Sequence, residues 1–445
     1  MMASPSLQDG IDKAGSAVQL RWTDKPRAWT PPVVAPEYSG WRTEQAAWRD
    51  GVALLDLSYH MFDTFVTGPD ATRMLRELSA NNYEKFAVDQ AKQFVTVNEN
   101  GFLVGDGILL RRGEQDYVLT GRPTAQNWIA YHAGQGSYDV ELTSDPDCSR
   151  DPDHIPPFFR YQIQGPFAQQ LIEAAFGGPL PETKFFHTTY VTLAGKAFRA
   201  LRHGMAGQPG YEFIGDHADH APVKEALMRA GEQFGLELVG SLAYPTAQAE
   251  GGWVPAPIPA IYDDSPAQTA YRSWLPLHTP DGMQPLHGSF HSPDIADYYV
   301  TPYELDYGRS VSFNHDFLGR DALQALKDAE RRHKVTLVMQ PDDVALALGA
   351  DHAIVNTLAK QRVEIDGDLV GKTEYTAYSD PYGTMLSLAL LSPEHAKPGT
   401  EVTVVWGDHP GGDVAPDADL GLPRIRATVQ PCPYNEFARA GYRKD

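Results

Sequence analysis

Cysteine is almost absent: Cys148 and Cys432 are the whole supply in 445 residues. Two thiols cannot build a disulfide framework, and neither has the paired spacing that a zinc or iron-sulfur site needs. Cys148 sits in SDPDCSRDPD, where neighbouring carboxylates disfavour a thiolate and hence a reactive nucleophile. Positive charge is also short. There are 37 Lys and Arg against 58 Asp and Glu, a formal net charge of -21, so there is no basic stripe for nucleic-acid phosphates or an anionic membrane surface. A small substrate fits that balance better, an anionic one included, provided that one local cation overrides the global field. No apolar run is long enough to cross a bilayer, and the opening MMASPSLQDGIDKAGSAVQL lacks the charged-then-apolar order of a secretion signal. A cytoplasmic protein is expected.

What is present is ordinary globular composition without Gly-Ser linkers or short repeats, in a chain long enough for two or three cores. Pro and Gly divide it into short units. TEQAAWRDG has a helical period, ALLDLS and MFDTFVTG read as strands, and GPDATRMLRELSA starts a helix. FVTVNENGFLVGDGILLRR predicts a hairpin turning at 98–101, and DYVLTG a strand before a helix opened by Pro123. From about Phe158 the same grammar repeats: RYQIQGP runs into a helix, YVTLAGKAFRALRHG and GYEFIG are strands, and APVKEALMRAGEQFG is an amphipathic helix stopped by glycine. Residues 253–299 are rich in Pro, Trp, Tyr and His with little period, the pattern of a functional loop or lid. After Lys334 come short strands between turns, the pattern of a small β-barrel or sandwich. The expected class is α+β, with units at 1–155, 156–333 and 334–445.

Six blocks stand in order along the chain: DLSYHM at 56–61, GPDATRML at 68–75, QGP at 164–166, RHGMAGQPGYEFIG at 202–215, YELDYGRSVSFNHDFLGRDAL at 303–323, and GTEVTV in the β-rich tail. Together they resemble the folate-binding aminomethyltransferase family, whose type member is the glycine-cleavage T-protein. The resemblance implies a three-domain ring around a central folate channel, ending in a β-barrel. The segments PPVVAPEYS, GRPTAQNW, SLAYPT, PAPIPAIY and DYYVTPYEL look most like the tetrahydrofolate-dependent O-demethylases of syringate, vanillate and 3-O-methylgallate. Where the T-protein pattern has paired aspartates this chain reads Gly105-Asp106, and where it has an asparagine this chain has Arg122. Both departures put glycine-cleavage chemistry in doubt.

Demethylating an aryl methyl ether requires in-line displacement at the methyl carbon by a folate nitrogen, and a hydrogen bond or proton for the departing oxygen. Arg122 ends a strand just before Pro123, so its guanidinium and a helix N-terminus aim at one spot that suits a benzoate carboxylate; the alternative is a solvated arginine beside a turn. His60 follows a strand and can reach a pocket mouth, although a lone histidine is usually structural. Tyr244 precedes Pro245 in an ordered turn and is otherwise a packed aromatic. The resemblance implies substrate roles for Arg122, His60 and Tyr244, with Tyr244 the main catalytic candidate. It also implies that Glu212 of GYEF binds folate, against the commoner fate of a solvent-facing glutamate. Gln164, Trp253 and Asp106 are further cofactor-channel candidates, each with a core or wall role as alternative.

Two signals are discounted. HADH at 217–220 has two histidines three apart but no third ligand, and reads as the solvated start of a helix. GMAGQPG joins two strands and opens no helix, so it is not a dinucleotide fingerprint. Competing functions are a folate enzyme using a non-aromatic donor, such as dimethylsulfoniopropionate or a lipoyl-carrier intermediate, and a non-enzymatic folate-binding protein. The latter branch carries a cysteine where RHGMAGQPGYEF has none.

Overall fold

Alternation along a single strand sets the layering. In the computed structural model, which describes residues 4–23, 31–349 and 356–441, strand β7 (Phe158–Gln164) buries Phe159, Tyr161 and Ile163 against helices α6 (Ala168–Phe176) and α7 (His220–Gly231). Each fully buried side chain of this size contributes about 1.5–3 kcal/mol. The intervening Arg160, Gln162 and Gln164 project to the opposite face, because successive strand residues alternate, and they are buried as well. Three polar side chains on the inner face of a strand need partners, and those partners organise the site.

β7 lies in a six-stranded sheet with β1 (Ala53–Asp56), β8 (Thr188–Leu193), β9 (Lys196–Leu201), β10 (Gly210–Asp216) and β11 (Glu237–Val239), in the order β11-β1-β7-β10-β9-β8. A second sheet, of order β3-β4-β5-β2-β6, joins β2 (Phe62–Thr67), β3 (Ala91–Val97), β4 (Leu103–Gly113), β5 (Asp116–Gly121) and β6 (Glu141–Asp145). It is backed by α4 (Ala71–Glu77) and α5 (Pro123–Gly134).

The tail supplies β12 (His333–Met339), β13 (Asn356–Thr357), β14 (Arg362–Ile365), β15 (Asp368–Ser379), β16 (Thr384–Leu391), β17 (Glu401–Val405) and β18 (Arg424–Gln430). Six of these close a barrel, because β15 pairs with β16 as well as with β14.

Each of the three sheets touches the other two. Ala53, Leu55 and Leu57 share a core with barrel residues Leu337, Val404 and Val429. Val95 and Leu103 pack with Tyr375, Leu386 and Leu388 of the barrel. Leu110 and Val118 meet Leu201. Three bodies in mutual contact make a ring, as the resemblance implied.

The boundaries differ from those read in the sequence. Strand β1 lies before residue 155 yet pairs with β7 and β11, so the chain enters one sheet, builds the other, and returns. Residues 253–299 are not a bare loop: they hold helices at Pro266–Trp274 and Pro280–Met283, and Ile258, Ile261, Tyr271 and Leu286 are fully buried. This segment packs on α1 (Leu7–Ala14) and α2 (Ala17–Arg21), two short capped helices that the sequence reading left unassigned. Their apolar residues are too few to show a period, so tertiary packing decides them.

Candidate active site

The inner face of β7 meets the neighbouring sheet through one guanidinium. Arg160 Nη2 donates to both carboxylate oxygens of Asp63 on β2 at 2.8–2.9 Å, and its Nη1 reaches Glu212 on β10 at 3.4 Å. Gln162 stands directly across from Glu212 in the ladder, and its amide donates to Glu212 Oε2 at 3.0 Å. Its carbonyl end accepts from the Met205 backbone at 3.1 Å. Glu212 is 5 % exposed, so its charge is held inside by Arg160 and Gln162, as a buried carboxylate requires. Two oxygens carry about four acceptor positions, and capacity is left over for the N–H edge of a ligand.

The loop before β10 is moulded on Gln164. The Gln164 carbonyl accepts from Ala206 N at 2.8 Å, and its amide donates to the Gln208 carbonyl at 3.3 Å. Both ends therefore engage the glycine-rich loop, which leaves one amide N–H and one carbonyl lone pair of Gln164 for a further partner. A β-carbon at Gly204 would lie 1.0 Å from Gln164 Nε2. Gly204→Ala is accordingly expected to displace the Gln164 amide and weaken folate binding by about tenfold or more at a stability cost of about 1–3 kcal/mol. Isothermal titration beside thermal unfolding measures both.

Asp106, on β4, accepts from Gln93 Nε2 and from the Tyr307 hydroxyl, each at 3.0 Å, with the Trp253 indole beside the same carboxylate. Burial raises its pKa and these donors oppose the rise. Trp253 is half-buried and packs with Tyr307 and Val254 at the edge of the barrel core.

His60 and Tyr244, 184 residues apart, are brought together with His60 Nε2 3.0 Å from the Tyr244 hydroxyl and the rings edge to face. Tyr244 opens a single turn of 3-10 helix, fixed on both sides: its N–H donates to Gly240, and the Pro245 carbonyl accepts from the Tyr375 hydroxyl at 2.6 Å. The pair lines a small cleft with Val34, Leu57 and Ser241. Burial pushes the Tyr244 phenol well above its usual pKa, the Glu212 carboxylate adding to the effect, so the hydroxyl keeps its proton at neutral pH.

Burial likewise holds the His60 imidazole down at about 4, with the carboxylates of Asp147, Asp56 and Glu212 pulling the other way. An unfolded imidazole titrates near 6.5. Between those values the unfolded chain takes up the proton first, so the His60 contribution to stability is complete above about 6.5 and is lost as pH falls toward 4. An NMR titration of the imidazole is expected to show a midpoint near 4, well below the usual imidazole range, and His60→Gln to remove this part of the acid destabilisation.

Arg122 caps α5 ahead of Pro123. Because Phe62 pairs with Gly121, the His60 and Arg122 segments leave the same end of the β2–β5 ladder, and Gln126 Nε2 donates to both the Phe62 and Arg122 carbonyls. Among the described residues no hydrogen bond or ion pair engages the Arg122 guanidinium. Burial lowers its pKa, while the carboxylates of Asp281, Asp106 and Asp147 sustain the charge.

Sequence reasoning missed Asp63, Arg160, Gln162, Gln93 and Tyr307. For two of them the signal was visible: in RYQIQ the polar residues occupy alternate positions of a buried strand. Cys148 is buried with its thiol pushed up to about 11, chiefly by burial, in line with an unreactive thiol. His217 and His220 stack at 4.5 Å beside an Asp216 cap, as expected of a helix start.

Three sheets in a ring, the last of them a closed barrel, with buried carboxylates between the first two, define the fold of a folate-dependent one-carbon transferase. The solved aminomethyltransferase T of the glycine cleavage system from Bartonella henselae has the same fold, with a TM-score of 0.62 at 18% identity over 95% of each chain. The GCVT N-terminal domain family matches residues 18–269, and the chain belongs to that family. It is 37% identical to syringate O-demethylase of Sphingobium sp., over 98% of this chain and 97% of that one. It is 30% identical to sesamin methylene transferase of Sinomonas sp., over 91% and 90%, and 26% identical to the aminomethyltransferase of Streptomyces avermitilis, over 84% and 86%. The protein is a one-carbon transferase with tetrahydrofolate as acceptor. No helix among the described residues is long and apolar enough to cross a membrane.

Proposed function

We propose that the enzyme moves the methyl group of a methoxybenzoate to tetrahydrofolate, leaving 5-methyltetrahydrofolate and a catechol-type product, with syringate the favoured substrate and vanillate or 3-O-methylgallate as alternatives. The observation that carries the reading is the His60–Tyr244 contact at 3.0 Å in a cleft beside Glu212. A protonated phenol oriented by a neutral imidazole is suited to a departing aryl oxygen, which gains negative charge as the methyl leaves.

The donor set also fits a folate. Glu212 is a buried and Asp106 a half-buried acceptor, each suited to the N–H donors of a pterin edge, and Trp253 offers a flat face for stacking. The bound cofactor supplies the nucleophilic nitrogen. Glu212, held by Arg160 and Gln162, fixes the pterin, and Arg122 draws the substrate carboxylate to the end of β5, which sets the ring orientation. With His60 Nε2–H donating to the Tyr244 oxygen, the Tyr244 hydrogen turns to the ether oxygen. The surrounding walls exclude water, so the hydrogen bond strengthens as charge develops.

The aminomethyl and sulfonium alternatives have no departing aryl oxygen and so need no phenol donor; dimethylsulfoniopropionate shares the carboxylate, so the phenol is what separates the readings. Purified enzyme given tetrahydrofolate and each of the three methoxybenzoates is expected to demethylate at least one, with syringate highest in kcat/KM. In Arg122→Met the KM for the benzoate is expected to rise about 30–300-fold with a smaller change in kcat, the loss of a charge-assisted pair. Turnover of none of the three, with folate bound, contradicts the reading.

A further inference from the structure

The buried side of α5 holds more charge than the residues assigned so far. Arg21, the last residue of α2, is 3 % exposed. Its Nε donates to the Gln284 carbonyl at 3.0 Å, yet both terminal guanidinium nitrogens are buried without an acceptor among the described residues. The guanidinium lies over the Tyr262 ring, 4.9 Å from its centroid, and the Tyr262 hydroxyl donates to the Asp281 carbonyl at 2.9 Å.

Asp281 is fully buried; its Oδ2 accepts from Asn127 at 2.7 Å, while its Oδ1 has no donor among the described residues. Asn127 stands on the second turn of α5, the helix that Arg122 caps. Arg21, Asp281 and Arg122 thus gather at one end of α5, close enough for Asp281 to bear electrostatically on both arginines and for the arginines to bear on each other. No hydrogen bond joins the three.

Buried donors and a buried acceptor left unmet in one small region are unfavourable unless something further completes them. The unmet groups say what. Among the described residues the unengaged guanidinium donors of Arg21 and Arg122 outnumber the single unengaged carboxylate oxygen of Asp281, so an acceptor is what is missing. Asp106 and Asp147 also bear on Arg122 and add negative charge, but neither hydrogen-bonds a guanidinium of the cluster: Asp106 accepts from Gln93 and Tyr307, Asp147 from the Ser149 backbone.

We infer that Arg21 is a second cation of the substrate-carboxylate pocket, with Asp281 as the counter-ion it shares with Arg122, so that the unmet guanidinium donors are completed only when a carboxylate is bound. The inference rests on the methoxybenzoate reading above. Arg122 touches the substrate; Arg21 is a positioning residue that draws Asp281 away from Arg122 and raises the local potential. Its effect falls on discrimination between a benzoate and the same ring without a carboxylate, because a neutral ring gains nothing from the second cation.

The test uses full-length enzyme, tetrahydrofolate, a methoxybenzoate and the matching methoxyphenol. Arg21→Met is expected to raise the KM for the benzoate about tenfold while leaving kcat and the KM for the phenol within about twofold. Asp281→Asn keeps the shape and removes the counter-charge, so the benzoate KM is expected to fall several-fold. Opposite signs within one buried cluster are not produced by loss of packing, which weakens both variants alike. Arg21→Lys keeps the charge and is expected to recover most of the loss.

An unchanged ratio of benzoate to phenol KM in Arg21→Met overturns the inference while the demethylase reading stands. Should Arg21→Met not fold, an unchanged ratio in Asp281→Asn overturns it. Should wild type demethylate neither compound, the demethylase reading falls, and calorimetric binding of the benzoate decides the remainder: equal affinity for wild type and Arg21→Lys on one side and Asp281→Asn on the other overturns the shared counter-ion.

Discussion

Replacing Tyr244 by phenylalanine is expected to lower kcat about 10²–10³-fold while the Kd for folate and the KM for the aromatic substrate stay within about threefold. The substitution removes one oxygen and leaves the ring, which packs in a core shared by the six-stranded sheet and the barrel. The backbone that carries it is held independently, by Gly240 before it and by the Tyr375 hydroxyl on Pro245 after it, so the turn survives. What is lost is the hydrogen bond to the departing oxygen, needed most when charge has developed there. A loss confined to kcat is the signature of an interaction made in the transition state. His60→Ala is expected to follow the same pattern with a smaller loss, because the imidazole acts through the phenol. A large change in KM for Tyr244→Phe with kcat preserved would make Tyr244 a binding residue instead.

Replacing Glu212 by glutamine is expected to weaken folate binding about 30–1,000-fold, the cost of removing one member of a buried charge-assisted set. The amide has the shape of the carboxylate, but one end is a donor, so it offers the pterin edge half the acceptors and turns an N–H toward Gln162 or Arg160. The fold is expected to tolerate this, since Arg160 keeps both oxygens of Asp63 at 2.8–2.9 Å. Folate titration should therefore show the large loss while the unfolding temperature moves by only a few degrees. A wild-type Kd with a collapsed unfolding temperature would show that Glu212 serves the fold and not the cofactor.

The strands were legible because their patterns are local. The hairpin at 98–101, the strand into Pro123 and the alternating tail each announce themselves through turn residues and period, and the sheets form where those patterns lie. Residues 253–299 were less legible, since their burial comes from packing against the N-terminal helices and leaves no period to read. One sheet draws strands from both sides of residue 155, which was not legible because β1 has only four residues, and nothing within them says that their partners lie a hundred residues on.

The candidate site was half visible. Glu212, Tyr244, His60 and Arg122 came from motif resemblance. The contact between His60 and Tyr244, the Arg160 bridge between two sheets and the Arg21 cluster are products of tertiary assembly. Gln164 adds a further contact of this kind: its amide shapes the loop beside the site, which the motif alone does not show.

The central claim is methyl transfer from an aryl ether to folate, and a labelled methyl group tests it most directly. Syringate carrying ¹³C in its methoxy groups, incubated with the enzyme and tetrahydrofolate, is expected to yield 5-methyltetrahydrofolate bearing the label in equal amount to the demethylated product. Product without label in folate, or no product while folate is demonstrably bound, would contradict it.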